Sequence, residues 1–349
     1  MVDDNSLMDE AVKEAWKYQG LTYPNPAVGA LISDKFGSIL SCKAHTKAGA
    51  PHAEVEVIKD AYCKLTRDEK IQKLKNSSEI HDYLIKNHNG IFKNYTLHVT
   101  LEPCNHYGKT PPCSHLIKEL KFKKVVIGKR DTNPKAVGGV EYLVEHGIKV
   151  DILENYSECE DVLSPFMKWQ EKNFVFFKLA MSLNGVIDGG LITSKNSREL
   201  VHRFRDKCDL LVIGGNTVRI DRPTLDSRLC NGKAPDILIY SKRDDFDKTI
   251  SLFNVENRKV FISDNFEILQ EYKNIMIEGG VGMLNATKNI VDLYAIFRSP
   301  NFKIGNHPNI NLKLENISQR QLKRDSLCWY KHKRDHDMRH NSMKKEMTR

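Results

Sequence analysis

Leu101-Glu102-Pro103-Cys104-Asn105-His106-Tyr107-Gly108-Lys109-Thr110-Pro111-Pro112-Cys113, taken together with Pro51-His52-Ala53-Glu54, decides the fold of the first half of this chain. A catalytic zinc takes three protein ligands and keeps a fourth position for water. His52, Cys104 and Cys113 supply one imidazole and two thiolates, a set that nearly neutralises the ion. Such a metal lowers the pKa of its water from about 15.7 toward about 7, so hydroxide becomes available at physiological pH. Glu54 follows His52 by two residues, about 200° around a regular helix. In mid-helix the two side chains would diverge, whereas at a helix mouth both can face a ligand held over the end. Cys113 follows Pro111-Pro112 and falls in a first helical turn, where the dipole favours thiolate.

His-x-Glu combined with Pro-Cys and a second cysteine is a zinc hydrolytic deaminase pattern, in which the glutamate moves protons and does not bind metal. Eight residues separate Cys104 from Cys113, where that pattern has two. The blander readings are a structural histidine beside buried cysteines, or a structural zinc. The latter would need a fourth ligand, for which Cys63 and His106, both nearby in sequence, are candidates with neither favoured.

Working outward, Leu7 to Gln19 has helical spacing, and Ala27–Ser33 and Ser38–Cys42 read as strands around a hairpin loop. A helix opens at Pro51 and runs to about Leu65, and the polar stretch Lys64 to Asn94 reads as a partly helical insertion. Strand Tyr95–Leu101, helix Pro112–Leu120, strand Lys124–Gly128, helix Gly139–His146 and strand Ile148–Leu153 alternate as in an α/β domain. A helix at Cys159–Glu171 reads as a linker. Alternation then restarts with strand Phe174–Ser182, helix Ser197–Cys208 and strand Asp209–Gly214. Further strands are expected at 237–240, 260–263, 275–278 and 293–298, and a last one at Leu327–Tyr330. The domains are therefore placed at 1–153 (insertion about 64–94), 154–172 (linker helix), 173–330 and 331–349 (basic tail).

The chain has 349 residues and a net charge of +9, with ten Lys/Arg against four Asp/Glu between Arg320 and Arg349. About six of the nine excess charges lie in the tail, so the mildly basic body suits a phosphorylated small molecule better than a polynucleotide. No apolar run is long enough for a membrane span, and the acidic, polar start lacks signal-peptide order. The cytoplasm is the expected compartment. Eight cysteines scattered along the chain, some beside a histidine motif, suggest metal before disulfide there. His332, His336 and His340 would align on a helix, but no acid or cysteine completes a metal face and a loosely ordered tail is preferred.

Pro24-Asn25-Pro26-Ala27-Val28-Gly29, Pro51-His52-Ala53-Glu54 and the run Leu101–Cys113 closely resemble the bifunctional riboflavin biosynthesis deaminase-reductase family. The resemblance covers Met8 to about Leu153 apart from the insertion. It implies a cytidine-deaminase-like three-layer domain with ligands His52, Cys104 and Cys113 and with Glu54 as proton shuttle. The implied substrate is 2,5-diamino-6-(5-phosphoribosylamino)pyrimidin-4(3H)-one, which loses its C2 amine as ammonia. Asn25, His45 and Lys109 are implied substrate contacts, and Lys109 on a Gly-Lys-Thr loop suits a phosphate.

In the second half, Phe177-Lys178-Leu179-Ala180-Met181-Ser182-Leu183-Asn184-Gly185, Ile192-Thr193-Ser194, Asn216-Thr217-Val218 with Asp221, Pro223 and Leu225, and Ile277-Glu278-Gly279-Gly280-Val281-Gly282 resemble the same family's reductase domain. That implies a dihydrofolate-reductase-like fold in which NADPH reduces the ribosyl group of the deaminated product to ribityl. Lys178 is the implied proton donor. Arg205 and Arg228 match positions holding the substrate phosphate, where a planar fork suits the anion, with Leu225 and Glu278 as further substrate contacts. Ala180, Leu191, Thr217, Asp221, Ser241, Gly280 and Gly282 fall at cofactor positions, the glycine turn suiting a phosphate at a helix N-terminus. Asn184 stands where the family has Asp, the loop Val186–Leu191 is short, Leu191 replaces a Trp, and Gly189 replaces a polar contact.

Three functions compete. The first is a zinc- and NADPH-dependent enzyme acting on a small molecule, with a weakened reductase half as its variant and a homo-oligomer compatible with it. The second is a deaminase aimed at nucleic acid by a basic partner domain, against which the cysteine spacing and the second-half motifs argue. The third is a zinc scaffold without activity, against which the intact Glu54 argues.

Overall fold

The computed structural model describes residues 3–108, 110–134 and 136–333. The chain divides into two compact units, one formed by residues 1–174 with 268–274, the other by 175–267 with 275–349.

The first unit runs α1 (Asp4–Trp16), β1 (Gly29–Ser33), β2 (Ile39–Ala44), α2 (Ala53–Thr66), α3 (Glu69–Lys73), α4 (Ser77–Asn87), β3 (Thr96–Val99), α5 (Cys113–Leu120), β4 (Lys124–Ile127), α6 (Gly139–Glu145), β5 (Lys149–Ile152) and α7 (Ser157–Glu171). Its five strands lie in the order β2-β1-β3-β4-β5. β1 pairs antiparallel with β2 and β3, and β3, β4 and β5 are parallel. The α5 and α6 segments make the crossovers that parallel pairs require. α1 begins at Asp4 because the Asp3 side chain caps it, accepting from the Ser6 N–H at 2.7 Å. Its apolar face, Leu7, Met8, Ala11, Val12, Ala15 and Trp16, is buried. α1 comes so close to β1 that a Cβ on Gly29 would lie 1.9 Å from the Ala11 carbonyl oxygen, and only glycine fits there.

The insertion is helical in two pieces, α3 and α4, each capped by a side chain (Asp68 and Asn76). The helix expected as a linker, α7, packs within the first unit. Gln19 donates to the Val162 carbonyl at 2.6 Å, and the Cys159 sulfur fills the space a side chain on Gly128 would need.

The second unit runs β6 (Phe174–Met181), α8 (Lys195–Lys207), β7 (Leu210–Gly214), α9 (Gly215–Asp221), β8 (Asp236–Tyr240), β9 (Val260–Ser263), β10 (Asn274–Glu278), α10 (Val281–Thr287), β11 (Leu293–Arg298), β12 (Leu314–Leu322) and β13 (Asp325–His332). Its eight strands lie in the order β12-β13-β11-β6-β10-β7-β8-β9. β10, β7, β8 and β9 are mutually parallel, and the β12–β13 hairpin adds an antiparallel edge. The strand β12 is absent from the sequence reading for a physical reason. Leu314–Leu322 is polar and nowhere fully buried, and it pairs at the sheet edge, so it carries no apolar run. His332 lies in extended β13, its Nε2 2.9 Å from the Tyr294 hydroxyl, which corrects the helical alignment considered for it. His336, His340 and the rest of the basic tail beyond residue 333 lie outside the described residues.

Candidate functional site

The N-termini of α2 and α5 carry the first unit's cluster. His52 is the N-cap of α2, with extended backbone and no cap hydrogen bond of its own, so its imidazole is free to turn outward. Cys113 is the first residue of α5, behind Pro112. Cys104 comes from the loop after β3. His52 Nδ1 lies 3.7 Å from Cys104 Sγ and 3.4 Å from Cys113 Sγ. Ligand bonds of about 2.3 Å to sulfur and about 2.0–2.1 Å to nitrogen, meeting at a tetrahedral angle, would span about 3.6 Å. The donor set and its spacing therefore fit zinc. Among the described residues these three form the one cluster able to hold a metal. Cys63 is engaged by Gln72 at 2.7 Å, and neither it nor His106 joins the group, so the fourth position stays available to water, as catalytic zinc requires.

Burial alone would lower the His52 pKa, but the Cys104 thiolate and the Glu54 carboxylate hold it up at about 9. The Cys113 hydrogen bond, helped by His52 and opposed by burial, draws Cys104 down to about 4, while its neighbour Cys113 is pushed up by Cys104 and by burial. Protons shared among two sulfurs and a ring nitrogen are those that a divalent cation displaces. Glu54, in the first turn of α2, is buried, and burial raises its pKa, as suits a carboxyl that takes up and returns a proton.

A cavity of about 310 Å³ opens beside this cluster, and Asn25, His45, His52, Glu54 and Cys104 all line it. His45 sits between two partners: its Nδ1 donates to the Pro51 carbonyl at 3.0 Å, which leaves Nε2 to accept from Asn25 Nδ2 at 3.1 Å. Burial lowers the His45 pKa to about 4, so the ring stays neutral. Sequence reasoning missed other wall residues, namely Glu102, Asp131, Asn133, Ala136 and, from α7, Phe166. Glu102 stands in the Leu101–Cys113 run, where its residue type alone gave it no role; no motif or periodicity marks the others. Lys109 lies outside the described residues.

In the second unit, Lys178 on β6 and Glu278 at the end of β10 face each other across neighbouring strands, Nζ to Oε2 3.3 Å. Arg205 on α8 grips the same carboxylate through Nε at 2.9 Å and Nη2 at 2.8 Å. Burial would raise the Glu278 pKa, yet the two cations outweigh it and hold the carboxyl at about 2. A cavity of about 320 Å³ is lined by Lys178, Ala180, Leu191, Arg205 and Arg228, together with Arg198 and His202. Arg198, His202 and Arg205 recur at i, i+4 and i+7 along α8, a spacing that was legible as one helix face. Arg205 is committed to Glu278, whereas the Arg228 side chain is 61% exposed and pairs with Asp226 at 2.7 Å.

The remaining positions lie elsewhere in this unit. Thr217 (on α9), Ser241 and Gly280 follow the C-terminal ends of β7, β8 and β10, Gly280 is the N-cap of α10, and Gly282 has open space around it. A Cβ on Gly215 would come within 2.7 Å of Ser241 Cβ, so the β7 and β8 ends meet there. Asp221 ends α9 and is exposed; Leu225 is buried with a left-handed backbone (φ 55°).

Residues 1–129 match the family described as the cytidine and deoxycytidylate deaminase zinc-binding region, and residues 173–331 match the RibD C-terminal domain. The riboflavin biosynthesis protein RibD of Aquifex aeolicus is 32% identical over 305 residues, covering 83% of this chain and 78% of that protein. Its counterpart in Buchnera aphidicola is 28% identical over 369 residues, covering 90% and 91%. The crystal structure of a diaminohydroxyphosphoribosylaminopyrimidine deaminase/5-amino-6-(5-phosphoribosylamino)uracil reductase from Thermotoga maritima superposes with a TM-score of 0.62. It shares 27% identity and covers 94% of this chain and 98% of its own.

Proposed function

The chain belongs to the riboflavin biosynthesis protein RibD family, and from that premise we propose how its residues divide the work of a hydrolytic deaminase and an NADPH-dependent reductase. The protein is bifunctional: it deaminates 2,5-diamino-6-(5-phosphoribosylamino)pyrimidin-4(3H)-one and then reduces the ribosyl group to ribityl, using zinc and NADPH.

In the first unit His52, Cys104 and Cys113 hold the metal, which when bound supplies a water acidic enough to attack near neutral pH. Glu54 takes the proton of that water and passes it to a ring nitrogen. It then carries a proton to the departing amine as the C2–O bond replaces C2–N and ammonia leaves. Asn25 spends its amide N–H on neutral His45, so its Oδ1 remains an acceptor for a substrate N–H. Lys109, by its place in the motif, meets the phosphate.

In the second unit NADPH supplies the hydride. Lys178 delivers the accompanying proton, and Glu278 holds Lys178 in place, with Arg205 as its counterweight. Arg228, exposed at the cavity, takes the substrate phosphate. Leu225 contacts substrate. Ala180, Leu191, Thr217, Asp221, Ser241, Gly280 and Gly282 form the cofactor side, most of them at or beyond strand ends, where open α/β sheets bind ligands. The deaminase side includes α7, whose Phe166 lines its cavity, so the work divides near residue 174. No helix among the described residues is long and apolar enough to cross a membrane. Cys104 and Cys113 go to the metal and the other six cysteines are in no disulfide, which supports the cytoplasm.

The observation that carries this reading is the His52–Cys104–Cys113 cluster with Glu54 buried beside it in one cavity. Ammonia release is to be measured with the pyrimidine phosphate and, in parallel, with tRNA and single-stranded DNA. Turnover of the small molecule alone is expected, and turnover of a polynucleotide alone would overturn the assignment.

A further inference from the structure

Glu102 is the one acid of the metal-binding loop to which no step above gives a task. It is 4% exposed and lies two residues before Cys104. Its carboxylate accepts three main-chain N–H groups from a distant segment: Asp131 at 3.2 Å on Oε2, and Gly138 at 3.2 Å and Val140 at 3.1 Å on Oε1. Two of these belong to the start of α6, whose N-cap Gly138 has no side chain to offer, so Glu102 caps that helix from across the fold. The junction is tight. A Cβ on Gly139 would lie 2.0 Å from the Pro103 carbonyl oxygen, and Asn105 N–H donates to the Ala136 carbonyl at 3.2 Å.

The segment pinned in this way supplies Asp131, Asn133 and Ala136 to the cavity wall. Metal loop and wall are thus joined by the Glu102 carboxylate, with the Asn105–Ala136 main-chain bond beside it. On the deaminase reading given above, we propose that Glu102 is a positioning residue for the substrate. It holds the wall residues Asp131, Asn133 and Ala136 in register with the metal loop and governs how well the pyrimidine is bound, not whether the metal is. Three aligned donors on one buried carboxylate make this a stiff joint, since charge-assisted hydrogen bonds are about twice as strong as neutral ones.

The test is Glu102→Gln in the full-length, zinc-loaded protein. The amide oxygen can still accept from Gly138 and Val140, but its NH2 then faces the Asp131 N–H, donor against donor. Expected are a KM for the pyrimidine phosphate raised about tenfold, the worth of one hydrogen bond, with kcat little changed. Zinc content and the kinetics of the reductase half should be untouched. The amides of Asp131, Asn133, Ala136 and Val137 should exchange with deuterium faster than in the wild type. Asn133→Ala combined with Glu102→Gln should raise KM by less than the product of the two single effects, because both act on one wall. An unchanged KM, a loss of zinc, fully additive effects, or unchanged exchange at those amides would each overturn the proposal. Exchange is read without turnover, so it judges Glu102 even if the wild type releases no ammonia, an outcome that would sink the deaminase reading instead.

Discussion

Glu54 and Glu278 show how burial can set two carboxylates to opposite tasks. For Glu54 burial outweighs the neighbouring His52 and its pKa rises; Glu278 is buried between Lys178 and Arg205, and its pKa falls to about 2. The first is therefore suited to moving protons and the second to staying charged. Replacing Glu54 with Gln should leave zinc content unchanged while kcat for ammonia release falls about 10³-fold, the range of a lost general acid–base. Normal turnover of that variant would remove Glu54 from the mechanism. Glu278 gives a pH prediction. Its folded pKa lies below the ordinary 4.5, so the stability it contributes is present in full above about 4.5 and is lost as pH falls toward about 2. Calorimetry of the wild type should show the second unit's unfolding temperature dropping through that window. Glu278→Gln should be less stable at pH 7, with two half-buried cations deprived of their shared carboxylate, and should show a flatter pH dependence.

At the scale of elements, α8 carries Arg198, His202 and Arg205 to the second cavity, and what fixes its start is a residue remote in sequence. Asp325 on β13 is buried, and its Oδ2 accepts from the Ser194 N–H at 2.7 Å and from the Ser194 and Ser197 hydroxyls at 2.6 Å each. Asp325→Ala should cost about 1–3 kcal/mol by leaving buried donors unpaired. It should raise the reductase KM while deaminase kinetics stay at wild-type values; an unaltered reductase KM would show that α8 is held by other contacts. Such dependence on distant residues explains what the sequence could and could not reveal. α2 and α5 were legible because local signals agree: a motif at the helix mouth, prolines before Cys113 and an apolar face behind. β12 was not, because an edge strand with polar residues has neither apolar alternation nor a run. The Asp131–Ala136 wall was invisible too, since its place is set by Glu102 through main-chain N–H groups, which every residue but proline possesses. α7 read as a linker because it lies between two α/β patterns, yet it supplies Phe166 to the first cavity.

For the whole molecule, each of two units carries its own cavity and its own charge arrangement, sulfurs and an imidazole in one and a cationic wall in the other. The metal ligands all lie in the first unit. Stripping zinc with a chelator should therefore abolish ammonia release while leaving NADPH oxidation on the already deaminated compound at its wild-type rate. Loss of both activities together would mean that the metal is needed for the second unit as well. The departures at Asn184 and Leu191 bear on the reductase half alone. Asn184 is held at its place by Lys303, accepting from its N–H at 3.0 Å and donating to its carbonyl at 2.8 Å, whereas Leu191 is 72% exposed. The most direct measurement is a single time course on the zinc-loaded protein with the diaminopyrimidine phosphate and NADPH, following ammonia and NADPH together. Ammonia should appear first and NADPH consumption should follow with a lag, reaching equal amounts at completion. Ammonia without any NADPH oxidation, or NADPH oxidation preceding ammonia, would contradict the account.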